Sequence, residues 1–207
     1  MLKLPREGVG AIEHRKIARA AIFVPNGGGN SRGDIVGASL AFSRAAEGGH
    51  AAAEYEYGML LKMGRKPVDQ DLPRAYRLFL HAAQQGNAGG QYEVAQLLHR
   101  GMGVEKNCQE ASKWARRAAE SGSADAAGLL GELNQADCGG KKNPEEAARW
   151  FRVAADKGVV NAQFSLGVLY MNGDGVAKDL PEARKWLTSA ASKGNASAKF
   201  YLDRIGN

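Results

Sequence analysis

The stretch Gly101–Gly122 reads GMGVEKNCQEASKWARRAAESG, and 72 residues later Gly173–Gly194 reads GDGVAKDLPEARKWLTSAASKG. The two segments are identical at 11 of 22 positions without a gap. The glycine that closes each segment belongs to a series spaced by 37, 36, 36 and 36 residues: Gly49, Gly86, Gly122, Gly158 and Gly194. A pair of adjacent alanines precedes each of them, with two residues between the pair and the glycine. A fixed period of this length is typical of stacked structural repeats.

Each repeat contains the patterns of two helices. In the last full repeat Ala162, Leu166 and Leu169 share one arc of a first helix, and a glycine-rich loop follows. The second helix is predicted to begin after a side chain that caps its first turn: Asp71, Asn107, Asn143 or Asp179. Three residues later stand Glu110, Glu146 and Glu182, which predicts a capping box in three repeats.

These residues resemble a known family. The pattern Leu166-Gly167, Tyr170, Gly173-x-Gly175-Val176, Asp179, Ala183, Trp186 and Ala190-Ala191-x-x-Gly194 is similar to that of the Sel1-like repeat family, within the tetratricopeptide-like superfamily. The resemblance implies an all-α protein, a right-handed α-solenoid of helix-turn-helix repeats of about 36 residues each. The third repeat departs from the pattern in its loop, with Ala136, Asp137 and Gly140.

The repeat boundaries give the domain organisation. We expect a tail at residues 1–12 and a single solenoid over 13–207. Within it, 13–49 is interpreted as a degenerate repeat with Asp34 as the cap of its second helix, and 195–207 as a closing helix. The full repeats are expected at 50–86, 87–122, 123–158 and 159–194.

The chain carries a formal net charge of +6 with a sequence pI near 9.4, but its Lys and Arg residues are spread along its whole length. One cation recurs in each full repeat: Arg77, Lys113, Arg149 and Lys185. In three repeats a Glu three residues earlier partly neutralises it, and no aromatic residues interleave to stack bases. We therefore interpret this row as a solvated face and expect no specific nucleic-acid partner.

Catalytic and cofactor-binding signatures are lacking in the sequence. It contains no GxSxG, GxxxxGK[ST], HExxH or SxxK pattern, and the histidines at positions 14, 50, 81 and 99 occupy different helical positions. Trp114, Trp150 and Trp186 share one slot of the second helix, which is typical of packing between repeats. We expect a non-enzymatic protein with no catalytic residues, no metal site and no cofactor.

Two cysteines, Cys108 and Cys138, are too few for a disulfide framework, and their positions on the repeat pattern predict no bridge between them. No apolar run is long enough to span a membrane. The N-terminal sequence lacks a signal-peptide core, so the chain as written is expected to be cytoplasmic, or periplasmic or secreted if a leader was removed.

Large side chains recur on the first helices opposite the core arc, where polar residues were expected. The resemblance implies that first helices line the concave surface of the stack. We define the first-helix face as these side chains and their neighbours: Tyr55, Met59, Lys62, Tyr92, Gln96, His99, Glu132, Gln135, Phe164, Val168, Met171 and Phe200. Two interpretations remain open. The side chains form a ligand-binding face, or the curvature of the repeat stack buries the rings against one another.

By resemblance, the expected function is that of an adaptor, a protein–protein interaction module that binds a partner protein or peptide in its concave groove, as a monomer or weak dimer. One alternative is a bacterial immunity-type inhibitor that neutralises a specific toxin enzyme. A second is a β-lactamase-like hydrolase of the cysteine-rich Sel1 type, but the regular cysteine pairs of that type and a serine nucleophile motif are missing here.

Overall fold

The structure is a computed structural model, and it describes residues 31–64, 68–136 and 142–205. These residues form ten helices, and no strand occurs in the described ranges. The helices are α1 Ser31–Glu47, α2 Ala51–Met63, α3 Leu72–Gln84, α4 Ala88–Arg100, α5 Cys108–Glu120, α6 Ala124–Gln135, α7 Pro144–Asp156, α8 Val160–Asn172, α9 Leu180–Ser192 and α10 Ala196–Ile205. The expected tail at 1–12 and the first part of the degenerate repeat lie outside the described residues.

The helices alternate as the sequence predicts, and the chain is an all-α solenoid with repeats of about 36 residues. It divides into two compact units whose boundary falls inside α4, after Val94. The first unit also includes Met102–Glu105, and the second contains Ala95–Gly101 and the chain from Lys106 onward. Within each unit, helices that are consecutive along the chain pack against each other, as α2 does on α3 and α7 does on α8.

Small residues on the first helices allow this close packing. A Cβ atom added to Gly131 would lie 2.5 Å from the Phe151 ring, and one added to Gly167 would lie 2.7 Å from Leu187. Phe151 and Leu187 are almost fully buried. The first unit repeats the pairing with Gly58 against Phe79. In these three repeats a large side chain of the second helix therefore occupies the space that the glycine of the first helix leaves open.

The predicted caps are confirmed. The side chains of Asp71, Asn107, Asn143 and Asp179 each accept a hydrogen bond from the backbone N–H three residues later, at 2.9–3.0 Å. The prediction of complete capping boxes is wrong for the second hydrogen bond of the box, in which the glutamate side chain accepts from the cap residue's own N–H. The cap's own N–H donates to a carbonyl of the preceding first helix instead, as Asn143 does to Asn134 at 2.9 Å. A tertiary bond therefore takes the donor that a capping box would satisfy locally.

The glutamates of the expected boxes bond to other side chains. Glu146 accepts from Trp150 Nε1 at 2.8 Å, and Glu182 accepts from Trp186 Nε1 at 3.0 Å. Trp114 and Trp186 are buried and Trp150 is half-buried. The tryptophan slot is thus a packing position, as predicted, and the glutamate satisfies the indole donor in two repeats.

The N-terminal helix differs from its predicted start. Helix α1 begins at Ser31, so Asp34 lies inside the helix and not before its first residue. Phe42 and Ala45 of α1 are buried, and α1 packs on α2. The pattern from Ala38 to Ala46 was interpreted correctly as a second helix, but a cap-like residue inside a helix cannot be distinguished from a true cap by composition alone.

The expectation of no disulfide is wrong, because Cys108 is disulfide-bonded. The only other cysteine in the sequence is Cys138, which lies outside the described residues. The prediction assumed that the third loop follows the others. Ala136, the residue after α6, has an extended conformation (φ −76°, ψ 146°), whereas Gly173, the residue after α8, lies in the left-handed region (φ 83°). The residue that follows α6 therefore differs in backbone conformation from the residue that follows α8.

Candidate protein-binding surface

None of the twelve side chains of the first-helix face is buried. Nine are half-buried, and Glu132, Gln135 and Phe200 are exposed. Four of the twelve lie in the first unit, namely Tyr55, Met59, Lys62 and Tyr92, and the remaining eight lie in the second. The face is therefore solvent-accessible in both units.

In the first unit the face is largely engaged by internal contacts. The Tyr55 ring lies 5.9 Å from the Phe79 ring, and Tyr55 also covers Gly89, where a Cβ atom would stand 2.9 Å from the Tyr55 ring. Lys62 Nζ forms an ion pair with Glu93, a buried residue. Burial raises the pKa of the Tyr55 hydroxyl, with smaller contributions from the charges of Glu93 and Glu56.

A polar cluster that was not predicted from the sequence lies beside this part of the face. Glu54 is buried, and its carboxylate bonds to His81 Nδ1 and, at 2.9 Å, accepts from Gln85 Nε2. The signal was present in the repeat, because Glu54 shares one slot with Gln91 and Gln163. Those two glutamines are also buried and donate to carbonyls of the preceding second helix. A polar residue that recurs among apolar ones thus predicts a buried hydrogen bond.

In the second unit the face begins with a histidine and two exposed polar side chains. His99 is half-buried, and its Nδ1 lies 3.9 Å from Cys108 Sγ. Burial lowers the pKa of His99, the Glu132 carboxylate opposes this, and the charges of Lys106 and Arg100 lower the pKa further. Glu132 and Gln135 are exposed on α6.

Aromatic and aliphatic side chains form the rest of the face in the second unit. Phe164 and Val168 pack against a buried cluster of Leu187, Ala190 and Ala198. The Phe164 ring lies 5.5 Å from the ring of Tyr201, edge to face. Phe200, by contrast, is 58% exposed and has the Arg204 guanidinium 5.7 Å from its ring centre. The Phe200 ring also lies 5.8 Å from the Tyr201 ring, edge to face. Both interpretations from the sequence therefore have support here, since Phe164 packs on the buried cluster and Phe200 remains mostly exposed.

The row of cations is exposed in every repeat, which agrees with the predicted solvated face. Lys113 and Lys185 pair with Glu110 and Glu182 at 3.0 Å, and Arg149 lies 3.7 Å from Glu146. Among the residues that the structure describes, no group of three or more His, Cys, Asp or Glu side chains is arranged to hold a metal ion. No helix in the described ranges has the length and hydropathy needed to cross a membrane.

The chain was compared with known proteins. The family model described as Sel1 repeat matches four consecutive segments, residues 51–87, 88–123, 124–159 and 160–195. Comparison with curated protein sequences gave no significant match.

Solved structures share the fold. A Sel1 repeat protein from Oxalobacter formigenes superposes with a TM-score of 0.83 at 26% identity, over 94% of this chain and 79% of that one. A protective antigen of uropathogenic Escherichia coli with an SLR fold gives 0.76 at 29% identity over 81% of this chain. This chain spans 36% of the antigen's length. The immunity protein PA5088 of Pseudomonas aeruginosa gives 0.58 at 21% identity, over 99% of this chain and 76% of that one, which shows a common fold alone.

Proposed function

Because the chain belongs to the Sel1 repeat family, whose members are generally protein-interaction modules, we propose that it binds a partner protein or peptide on its first-helix face. The proposed role is non-enzymatic, in line with a family that consists mostly of non-catalytic scaffolds. The observation that carries the proposal is the exposure of Phe200 beside half-buried apolar residues in the second unit.

The second unit offers apolar area on neighbouring first helices. Helix α8 contacts both α6 and α10, so the face is carried by helices that are neighbours in the stack. Met171 and Val168 are half-buried on α8, and Phe200 is 58% exposed on α10. Among the exposed large hydrophobic residues of the described ranges, Phe200 has the highest exposed fraction. An exposed aromatic ring next to partly buried aliphatic groups is typical of an interface anchor.

Polar groups on the same unit would give the partner its orientation. Glu132 and Gln135 point to solvent from α6, and His99 lies close enough for the Glu132 charge to affect its pKa. A carboxylate and an amide at the rim of an apolar patch select a partner through hydrogen bonds and charge more than they add affinity. A partner with a donor or a basic group opposite Glu132 is therefore favoured.

The first unit supports the proposal less strongly. Tyr55 packs on Phe79 and Gly89, and Lys62 is paired with Glu93. These side chains have protein partners already, so a ligand would gain little by contacting them. We therefore assign the main contacts to the second unit and treat Tyr55, Met59, Lys62 and Tyr92 as a secondary part of the face.

The test starts from affinity capture of the partner from the native cell with identification by mass spectrometry. The captured protein is then titrated against purified variants. Phe200→Ser is expected to weaken binding at least tenfold with an unchanged melting temperature, because the ring is exposed and serves mainly the interface. Leu180→Ser is the matched control, since Leu180 is 41% exposed but lies at the start of a second helix. Unchanged affinity in Phe200→Ser would contradict the proposal.

The immunity-type alternative predicts a different result for the same capture experiment. The captured partner would then be a single enzyme, and the chain would abolish its activity at a one-to-one ratio. The likeness to the Pseudomonas aeruginosa immunity protein is one of fold. The adaptor role is therefore our proposal. Stoichiometric inhibition of a captured toxin enzyme would contradict it and would support the immunity role.

A further inference from the structure

A cavity of about 410 Å³ opens between α7 and the loop that follows α8, within the second unit. Ala148, Val153 and Val176 supply its apolar surface. Ala148 is buried at 3% exposure, whereas Val153 is 40% exposed. The volume lies near the lower end of the range of about 300–1,000 Å³ that is usual for ligand pockets. It suits one or two large side chains better than a cofactor.

The charges around the cavity have a definite order along α7. Arg149 and Arg152 are the two middle members of this charged series, and Glu145 and Asp156 lie on either side of them along the helix. Each acid is four residues from the nearer arginine, which corresponds to about 6 Å along the helix axis. Along α7 the two arginines therefore lie between the two acids.

The two arginines are only weakly neutralised. Within the described ranges Arg152 forms no ion pair, and its guanidinium lies 5.4 Å from the centre of the Tyr170 ring. Arg149 is 3.7 Å from Glu146, but that carboxylate also accepts from Trp150 and lies 3.5 Å from Arg116. Among the described residues neither arginine forms an ion pair with Glu145 or Asp156, so a carboxylate that enters the cavity can bond to both guanidinium groups. Such pairs are among the stronger hydrogen bonds in proteins.

The cavity is not a requirement of the repeat. The slot of Ala148 holds the half-buried Tyr76 in the first full repeat, and the slot of Val153 holds Arg117 in the second. A tyrosine or an arginine at these slots would fill the space that Ala148 and Val153 leave open. The third repeat therefore carries a feature that repeat packing alone does not explain.

We propose that this cavity docks a peptide segment of a partner protein in which a large apolar side chain stands beside a single carboxylate. The apolar side chain contacts Ala148, Val153 and Val176, and the carboxylate bonds to Arg149 and Arg152. The residues that line this cavity include none of the first-helix face, and the inference does not depend on the function proposed above.

The test uses the full chain and three fluorescein-labelled peptides that differ only at their centre. The centres are Asp-Leu-Phe, Asn-Leu-Phe and Asp-Ser-Ser, each flanked by Gly and Ser. Fluorescence anisotropy is expected to show that the Asp-Leu-Phe peptide binds at least tenfold more tightly than either of the others. Arg152→Gln should remove the preference for Asp over Asn, whereas Lys113→Gln, an exposed cation of the neighbouring repeat, should leave it unchanged.

The cavity itself is tested by Ala148→Tyr, which copies the residue of the first repeat and should reduce Asp-Leu-Phe binding at least tenfold. If circular dichroism shows that this variant is unfolded, Val153→Arg, which copies Arg117, takes its place. Phe200→Ser should bind the peptide as wild type does. The inference is overturned by equal binding or no binding of the three peptides, by wild-type affinity in the folded cavity variant, or by loss of peptide binding in Phe200→Ser.

Discussion

Gly175 lies so close to Pro144 that a Cβ atom on Gly175 would stand 2.1 Å from the Pro144 carbonyl oxygen. The glycine belongs to the loop after α8, and Pro144 is the first residue of α7. Gly103 and Leu72 form the same contact in the first unit, where the Cβ atom would be 2.5 Å from the Leu72 carbonyl carbon. The second glycine of the GxG loop thus packs against the first residue of the second helix of the preceding repeat.

We therefore expect Gly175→Ala to lower the free energy of unfolding by clearly more than the ~1–2 kcal/mol of the left-handed conformation itself, because backbone must move. The measurement is urea denaturation followed by circular dichroism. Gly194→Ala is the control, since Gly194 also has a positive φ (+90°) but no atom within 4 Å of the place that a methyl group would take. Equal losses in the two variants would show that the close approach contributes nothing.

Asn143→Ala should lower the stability by about 1 kcal/mol, because the N–H of Glu146 loses the side-chain oxygen that accepts from it at 3.0 Å. Asn143→Asp should keep the cap and most of the stability. Neither change touches the proposed binding surfaces, so partner affinity should not change. Loss of binding at an unaltered melting temperature would instead make Asn143 a contact residue.

Phe164→Ser should destabilise the chain by about 2 kcal/mol or more, because the ring packs against Tyr201 and the buried cluster around Leu187. Phe200→Ser should change the stability by less than about 0.5 kcal/mol, as is usual for exposed positions. Thermal denaturation of both variants tests the difference. Similar melting temperatures would mean that Phe164, too, serves mainly a ligand.

His99 should titrate below its usual pKa of about 6.5, because burial disfavours the charged imidazolium. As the pH falls, His99 therefore binds a proton in the unfolded chain before it does so in the folded chain. The contribution of His99 to the free energy of unfolding is complete above pH ~6.5 and is lost as the pH falls towards the folded pKa. Proton NMR of the ring against pH measures this. Glu132→Gln should lower the pKa further, because the Glu132 charge raises it; a rise would contradict the assignment.

Cys108→Ser should lower the stability by about 2–4 kcal/mol, the usual contribution of a structural disulfide. Wild-type protein should show the same loss on reduction with dithiothreitol, whereas Cys108→Ser should not respond. Mass spectrometry of the unreduced chain should give a mass about 2 Da below that of the fully reduced one. An unreduced chain with two free thiols would overturn the disulfide.

Local patterns predicted the helices and their ends well. The caps at Asp71 and Asn143 and the left-handed glycines at the repeat ends depend on neighbours in sequence, and the structure confirms them. The packing partners were harder to predict. Glu146 has the spacing of a capping-box residue, yet it bonds to Trp150, because the N–H of Asn143 already donates to Asn134 in another helix.

The sequence by itself determined the repeat, its two helices, the glycines with positive φ and the core arc, because each follows from a local conformational preference repeated every 36 residues. Only the tertiary structure decided which large side chains of one slot are packed and which are exposed. Phe164 and Phe200 occupy the same slot and both contact the Tyr201 ring. Phe164 also packs against the buried cluster around Leu187, whereas Phe200 is 58% exposed. Burial depends on neighbours from other helices, and a repeating pattern assigns the same surroundings to both residues.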